Sequence, residues 1–322
     1  MRNDFDPSRP GVGAPPLCVF GNINRDVRVL RVPGSPRVLE DGETTVADVI
    51  ETMGGGGANS ACAAAALGAP VRFVGRIGND ELGGRLEACL ARQGVTPWLR
   101  RDPDVATGST VALEWDRGAR HFLSCLPNNA ALCAEDLAPA ALDGCGHLLR
   151  ADVWFSATML ADGNARLLAA ARRKGLTTSL DINFDPCWSG GDARLIASRK
   201  EQLRAALPEV DLAHGNVREL CRFTDSPELP VALERLTAWG VKAIVVHLGV
   251  EGAGYYEAGT WTVEPPDFAV APRCSTGTGD VLSVCMMLLH SRADLGVREK
   301  LRLANRVVRE YMEGRRKLIP EL

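Results

Sequence analysis

The chain has 322 residues, of which 46% are hydrophobic, and it carries a formal net charge of −3. A chain of this length and composition can fill one large α/β core or two ordinary ones, and we expect it to be globular. Its basic residues are scattered and form no stripe, which argues against nucleic acid or an anionic membrane as partner and favours a small molecule.

The cysteines and the apolar runs indicate the cellular compartment in which we expect the protein to be found. Ten cysteines occur without C-x-x-C or Cys/His metal spacing, and Cys18, Cys62 and Cys285 lie inside apolar runs. This pattern is typical of reduced, buried thiols, so we expect no disulfide framework. The chain opens without a signal sequence, and no apolar stretch approaches the roughly 18 to 20 residues that span a bilayer. We therefore predict a cytoplasmic protein.

The N-terminal part combines a leader with a first strand. Residues 1–15 lack periodicity and are predicted to be a loose leader, followed by one domain over residues 16–322. The first predicted strand is Leu17–Phe20, a short apolar run closed by Gly21 and typical of a buried parallel strand. Polar residues follow up to Asp26, where open α/β sheets place their ligands. Asp26 could accept hydrogen bonds from two hydroxyls of a ligand, or it could form only an Asx turn.

Two stretches predict β structure outside the main α/β alternation. Residues 27–52 alternate polar and apolar positions and contain the turn signals Pro33-Gly34 and Asp41-Gly42. Residues from about 105 to 127 form a second excursion, in which two alternating runs flank Asp116-Arg-Gly118, a hairpin signature. We expect the two excursions to pair as a small sheet that stands off the main domain as a lid.

A glycine-rich segment lies between these excursions. Gly54 to Gly57, Ala58 and Asn59 precede Ser60–Leu67, a run of small residues that is predicted to be a helix ending at Gly68. The glycines would let a ligand lie against the backbone, with Asn59 as a hydrogen-bonding partner. A flexible hinge is the alternative interpretation.

The remainder alternates between strands and helices. Strands are predicted at 71–75, 94–95, 153–155, 177–181, 210–213, 241–248, 254–256 and 261–263. Helices are predicted at 80–93, 164–174, 192–207, from 216 onward, and at 228–239, 281–289 and 297–313. This order predicts a doubly wound α/β fold, with a mostly parallel sheet and helices on both faces.

The stretch from Cys274 to Asp280 opens directly into the apolar helix that follows it. The N-terminus of a helix offers backbone N–H groups and the positive end of the helix dipole to an anion. Gly277 and Gly279 would let a phosphate approach the backbone around Thr278. Asp280 in the first turn could take a proton from an attacking hydroxyl, or it could only cap the helix.

Six loops, in this order, resemble those of the ribokinase-like, or PfkB, carbohydrate kinases, and the resemblance runs from about residue 17 to residue 320. They are Gly21-Asn-Ile-Asn-Arg-Asp26, Gly55-Gly-Gly-Ala-Asn59, Gly75-Arg-Ile-Gly-Asn-Asp-Glu-Leu-Gly83, Asn216-Val-Arg-Glu219, Gly249-Val-Glu-Gly252 and Gly277-Thr-Gly-Asp280. The resemblance implies the doubly wound α/β fold with a β lid. It also implies an ATP-dependent, Mg²⁺-requiring kinase that phosphorylates a primary hydroxyl of a sugar or sugar derivative.

The resemblance also implies roles for individual residues. The residues that would bind the substrate are Asn24, Asp26, Gly55, Gly56 and Asn59. Those that would bind the nucleotide are Asn216, His247, Gly249, Gly252 and Asn305, with Glu219 ordering Mg²⁺ through water. For Asn216 and Glu219, a helix cap with a solvated carboxylate is the alternative. The catalytic group would consist of Asp280 as the base and the backbone amides of Gly277, Thr278 and Gly279.

Three positions depart from the family pattern. Cys274 replaces an Asp that usually opens the last motif, and Asp185 replaces an arginine, so a phosphate-facing cation is expected to be absent. The C-terminal loop is unusually basic, with Arg315, Arg316 and Lys317 after Gly314. A neutral thiol is a poor ligand for a hard cation, so we expect no K⁺ requirement. Either a basic side chain takes the place of the ion or the site is simply empty.

Two other functions remain open from the sequence. A nucleoside kinase of the same fold would use aromatic faces, and the lid region offers Trp98, Trp115 and Phe122, although these could equally be packing residues. A non-catalytic sugar- or nucleotide-sensing relative would have no need of Asp280. The resemblance further implies that such lids can pair two copies as a homodimer.

Overall fold

The computed structural model describes residues 15–33, 41–115, 120–266 and 277–322. The predicted leader as far as residue 14, part of the Pro33-Gly34 turn, the Asp116–Gly118 turn and Cys274 lie outside these ranges. Every cysteine within them is a free thiol. No helix in these ranges is long and apolar enough to cross a membrane.

The elements alternate along the chain as predicted. The strands are β1 Leu17–Phe20, β2 Asn24–Val32, β3 Asp48–Gly54, β4 Val71–Gly78, β5 Val95–Asp102, β6 Ser109–Trp115, β7 Arg120–Cys125, β8 His147–Arg150, β9 Thr177–Asp181, β10 Leu212–Asn216, β11 Ala243–His247, β12 Ala253–Glu257 and β13 Thr260–Glu264. The α-helices are α1 Gly56–Ala66, α2 Glu81–Arg92, α3 Pro127–Ala130, α4 Asn164–Arg173, α5 Ala193–Arg204, α6 Val217–Thr224, α7 Leu229–Ala238, α8 Thr278–His290 and α9 Val297–Met312.

The large sheet has nine strands in the order β13-β12-β11-β10-β9-β8-β1-β4-β5. Its pairs are parallel except at one edge, where β12 runs antiparallel to β11 and β13. Helices α1, α8 and α9 pack on one face, and α4, α6 and α7 on the other. The predicted doubly wound fold is therefore confirmed. Its parallel strands end together at one edge, which collects the loops that the sequence singles out.

The small sheet is also confirmed, with strand order β3-β2-β6-β7. Strands β2 and β3 come from the first predicted excursion and β6 and β7 from the second. Arg28 joins β2 to β6 through two hydrogen bonds to Glu114, of 2.7 and 3.0 Å. Because β2 begins four residues after β1 ends, the small sheet rises from the carboxyl edge of the large one. It thus lies where a lid over that edge has to lie.

One strand prediction is wrong. The strand assigned to 153–155 lies at His147–Arg150 instead, where β8 pairs with β1 and β9. The pattern misled because Arg150, although charged, is fully buried in the strand. Its guanidinium donates hydrogen bonds to Asn164 Oδ1 at 2.7 Å and to the carbonyl of Phe20 at 3.4 Å. The more apolar Val153–Phe155 forms the turn that follows.

The glycine-rich segment is helical earlier than expected. Helix α1 begins at Gly56, so residues 56–59 are its first turn and not a loop. Gly55 has φ of 90°, a backbone conformation that strongly favours glycine, and turns the chain into the helix. The first amides of α1 are capped by the carboxylate of Asp152, a residue distant in sequence.

The predicted loop from Gly75 to Gly83 consists of the end of β4, the two connecting residues 79 and 80, and the start of α2, and it has a packing role. Asp80 caps α2 by accepting a 2.7 Å hydrogen bond from the Gly83 amide. The same carboxylate accepts hydrogen bonds from the amide and hydroxyl of Thr107, both at 2.7 Å. These bonds keep the pKa of Asp80 below its usual value despite its partial burial. The loop therefore anchors the start of the segment that leads into β6.

The C-terminal segment crosses from the main domain to the small sheet. The Pro320 carbonyl accepts a hydrogen bond from the Met53 amide at 3.2 Å, and the Leu322 amide donates to the Glu51 carbonyl at 3.1 Å. Residues 320–322 thus lie along the edge strand β3. Just before them, the end of the Ile319 side chain packs against Gly277, so a β-carbon at Gly277 would require Ile319 to move.

Candidate active site

A cavity of about 850 Å³ opens between the two sheets at the carboxyl edge of the large one. Predicted site residues that line it are Asn24, Asp26, Gly55, Gly56, Asn59, Asn216, Glu219 and Asp280. They come from loops that lie up to 256 positions apart in the chain. The fold therefore brings together the predicted substrate-binding residues, the predicted base and the predicted metal-ordering pair.

Asp26 and Asn24 form one wall of the cavity at the start of β2. Asn24 Nδ2 donates a 2.7 Å hydrogen bond to Asp26 Oδ1. Asn24 is itself approached by Asn129, whose Nδ2 lies 3.5 Å from Asn24 Oδ1. Burial raises the pKa of Asp26 to about 6, and the bond from Asn24 opposes that rise. The pair presents a fixed carboxylate that can accept hydrogen bonds from ligand hydroxyls.

Asp152 is a residue of the candidate site that the sequence reasoning missed. Its carboxylate accepts hydrogen bonds from the amides of Asn22 at 3.2 Å, Gly56 at 3.2 Å and Gly57 at 2.8 Å. It therefore holds the loop after β1 against the first turn of α1, and it also lines the cavity. The sequence feature that could have identified Asp152 is its place as an acidic residue just after a buried strand. Because that strand was predicted at 153–155, Asp152 was not recognised as following it.

Asp280 lies in the first turn of α8, after Gly277 with φ of 78°. Asn59 Nδ2 lies 3.5 Å from Asp280 Oδ2, so helices α1 and α8 meet at this carboxyl group. Burial raises the pKa of Asp280 to about 8, and the charge of Asp152 adds to that rise. A carboxyl group with such a pKa can accept a proton near neutral pH, as a general base must.

Asn216 and Glu219 form a capping box at the start of α6. Asn216 Oδ1 accepts a 2.9 Å hydrogen bond from the Glu219 amide, and Glu219 Oε2 accepts a 2.8 Å bond from the Asn216 amide. The predicted alternative, a helix cap, thus describes their bonding in this structure. Both residues also line the cavity. Burial raises the pKa of Glu219 to about 7.

The donor set suits a magnesium ion that is bound together with phosphate. Glu219, Asn216 and Asp280 offer oxygen atoms, which hard cations prefer. The side-chain oxygens of Asn22 and Asn59 are buried at the cavity without a hydrogen-bond partner among the described residues. Across those residues no three His, Cys, Asp or Glu side chains converge to hold a metal ion alone. Mg²⁺ typically needs no such cage, because water and substrate phosphates complete its shell.

The remaining predicted nucleotide residues, His247, Gly249, Gly252 and Asn305, are not part of the cavity lining. His247 ends β11, and its Nε2 lies 3.2 Å from the hydroxyl of Ser283 in α8. Burial lowers the pKa of His247 to about 4, so its ring is neutral at physiological pH. Gly249 and Gly252 bound the next turn, with φ of 62° and 97°. Asn305 of α9 donates a 2.8 Å hydrogen bond to the Glu264 carbonyl.

Among the residues that depart from the family pattern, Asp185, Arg315 and Arg316 each pair with an oppositely charged side chain. Asp185 is fully buried and accepts hydrogen bonds from Arg199 of 2.7 and 3.1 Å, so it adds no negative charge to the cavity. Arg315 forms an ion pair with Glu313, and Arg316 with Glu310. The two arginines therefore already have acidic partners.

The aromatic residues considered for a nucleobase are dispersed. Phe122 lines the cavity from β7. Trp115 is buried, and Trp98 packs against the core on the face of the large sheet that carries α4, α6 and α7. The wall around Asp26 is instead polar, with Thr110 and Ser124 on the lid side.

Comparison with known proteins identifies the family. Residues 15–307 match the profile described as "pfkB family carbohydrate kinase". A ribokinase of Arabidopsis thaliana is 26% identical over 281 residues, which cover 84% of this chain and 69% of that protein. The solved structure of Arabidopsis thaliana ribokinase complexed with ribose and ATP superposes with a TM-score of 0.75 at 23% identity, covering 93% of both chains. A putative ribokinase II from E. coli, in complex with ATP and Mg²⁺, gives a TM-score of 0.75 at 19% identity, covering 93% of this chain and 92% of that one. The chain therefore belongs to the pfkB family of carbohydrate kinases and is a phosphotransferase that acts on a hydroxyl group.

Proposed function

We propose that this protein transfers the γ-phosphoryl group of ATP to a primary hydroxyl of a sugar or sugar derivative. The observation that carries the proposal is the position of Asp280. It lies at the start of α8 in the same cavity as the Asp26–Asn24 wall and the Asn216–Glu219 pair. A proton acceptor between a hydroxyl-binding wall and a helix N-terminus suits in-line phosphoryl transfer.

In the proposed mechanism, Asp26 accepts hydrogen bonds from substrate hydroxyls, and Asn24 holds its carboxylate in place. Asp280 takes the proton from the attacking hydroxyl as the hydroxyl oxygen bonds to the γ-phosphorus, and the bond from that phosphorus to the bridging oxygen breaks, so that ADP leaves. The backbone amides of Gly277, Thr278 and Gly279 stabilise the transferring oxygens. When bound, Mg²⁺ would neutralise phosphate charge, held by Asn216 and Glu219 through water. The small sheet closes over the cavity and excludes water that would otherwise hydrolyse ATP.

A nucleoside acceptor is the second candidate, and the cavity favours it less. Three aromatic residues were considered for contacts with a nucleobase, and of these three Phe122 lines the cavity. Phe155 and Phe184 also line it, so an aromatic surface is available. Turnover of ATP with free sugars, sugar acids and nucleosides, measured as ADP by chromatography, separates the candidates. A nucleoside turned over far better than any sugar would refute the sugar proposal.

A non-catalytic sensor would bind ligands without turnover. Our argument against a sensor rests on Asp280. Its raised pKa suits a general base, whereas in a site that only binds ligands the same group would reduce the stability of the folded protein. Detection of a phosphorylated product by mass spectrometry tests this point. Binding of ATP and sugar without any product would favour the sensor.

We further propose that two copies pair through the small sheet. Its side chains Val49 and Leu123 are 55% and 46% exposed, and the strand register places both on the same face of the small sheet. Sedimentation velocity of the wild type and of Val49→Asp tests this pairing. A monomeric wild type at micromolar concentration would contradict it.

A further inference from the structure

Arg218 is a cationic residue at the cavity wall. It is the second residue of α6 and is exposed to the cavity. Its guanidinium carbon lies 4.9 Å from the centre of the Phe184 ring. In the described part of the chain it forms no ion pair and no hydrogen bond through its side chain.

Arg120, at the start of β7, is a second arginine in the cavity lining and lies on the lid side, whereas the two other arginines near Arg218 are engaged elsewhere. Arg199 is paired with the buried Asp185, and Arg222, one turn along α6, donates to the Trp188 carbonyl at 3.4 Å. The acid next to Arg218 is also committed, because a carboxylate oxygen of Glu219 accepts the hydrogen bond from the Asn216 amide. Arg218 is thus positioned by stacking alone, which leaves the in-plane N–H donors of its guanidinium available.

The charge of the cavity explains why such a donor is needed. Four carboxyl groups line it, from Asp26, Asp152, Glu219 and Asp280. Each of these groups that is ionised repels a phosphoryl group, so a cation at the cavity wall favours the binding of an anionic ligand. The planar guanidinium matches the oxygen spacing of a phosphoryl group and can bind it through two bonds.

We propose that Arg218 binds the phosphoryl oxygens of the nucleotide and so acts as a catalytic residue for the transfer. This inference rests on the proposed kinase function. Arg218 lies beside Asn216 and Glu219 at the start of α6, the pair proposed to hold Mg²⁺ at the nucleotide. We therefore assign these phosphoryl oxygens to the nucleotide and not to an anionic acceptor. Stacking on Phe184 fixes the guanidinium before the ligand arrives.

The variants Arg218→Gln and Arg218→Lys test the inference, with Arg194→Gln as control. Arg194 is an exposed residue of α5 outside the cavity lining, so its loss removes one positive charge from the surface only. Calorimetry without acceptor should show ATP binding weakened about 10- to 100-fold in Arg218→Gln, as expected for lost charge-assisted hydrogen bonds. Arg218→Lys should lie between that variant and the wild type, and adenosine binding should be unchanged in both.

Catalysis supplies a second readout. Turnover by Arg218→Gln should fall and should be partly restored by added methylguanidinium, which a purely structural role would not allow. Circular dichroism and the melting temperature establish that the variants fold. ATP binding by Arg218→Gln equal to that of Arg194→Gln overturns the inference but leaves the kinase proposal standing. A variant that weakens only the acceptor KM assigns the guanidinium to an anionic acceptor and also overturns it. A wild type that binds no ATP overturns both proposals.

Discussion

Replacing Asp280 with asparagine tests the proposed base most directly. Asparagine keeps the size of the side chain and one of its oxygens but cannot accept the proton. We expect the fold and ATP binding to survive and kcat to fall at least about 100-fold, the usual contribution of a positioned general base. Calorimetric ATP binding serves as the control for the nucleotide side of the site.

The pH dependence follows from the raised pKa of Asp280, which is about 8 against a usual value of 3.8. With that pKa, about one tenth of the free protein has an ionised Asp280 at pH 7, and nearly all of it does at pH 9.5. Because kcat/KM reports ionisations of the free enzyme, it should rise about tenfold over this range. Direct measurement of ADP by chromatography avoids the pH dependence of coupling enzymes.

The same ionisation has an opposite effect on stability. A carboxyl group whose pKa is raised by folding stabilises the protein fully below its unfolded pKa, and this contribution is lost as the pH rises through the folded value. The ligand-free wild type should therefore lose melting temperature between about pH 4 and pH 8 through this group. Asp280→Asn should melt above the wild type at pH 9 and close to it at pH 4. A flat kcat/KM from pH 7 to 9.5, together with unchanged turnover in the variant, would reduce Asp280 to a helix cap.

Three further changes probe the rest of the site. Asp26→Ala should lower kcat/KM for the acceptor by about 10²- to 10⁴-fold, since two hydrogen bonds to a charged group are lost, while ATP binding measured by calorimetry stays the same; equal loss of both would indicate misfolding. The Asp152→Asn variant lacks the carboxylate that accepts three amide hydrogen bonds, so hydrogen exchange at the Gly56 and Gly57 amides should accelerate and the melting temperature should fall. Unchanged exchange would contradict the anchoring role. Because Cys274 supplies no fixed negative charge, kcat in tetramethylammonium buffer should change little when KCl is added. An increase of about tenfold or more would show that a K⁺ site exists without an acidic ligand.

The sequence predicted the parts of the site that depend on short stretches of chain. Asp26 follows a strand, and Asp280 opens a helix after a glycine turn, so strand ends, turns and helix starts were enough to single them out. The structure places both in one cavity because parallel strands end at one edge of the sheet.

Asp152 and Arg150 escaped prediction because their roles depend on distant partners. The carboxylate of Asp152 binds amides that lie 95 to 130 positions away in sequence. Arg150 is a charged side chain inside a buried strand, satisfied by Asn164 and by main-chain carbonyls, and it broke the apolar pattern that marks such strands. The pairing of Asp185 with Arg199 likewise could not be predicted from the local sequence pattern.

The course of the C-terminal segment links two parts of the site that would otherwise be independent. Residues 320–322 hydrogen-bond to β3 in the small sheet, and Ile319 immediately before them packs on Gly277 at the turn before α8. A displacement of β3 therefore has to be transmitted to the turn that would receive the phosphoryl group, or the hydrogen bonds along β3 must break. In the proposed mechanism, closure of the small sheet over the acceptor is therefore mechanically coupled to the support of the turn before α8.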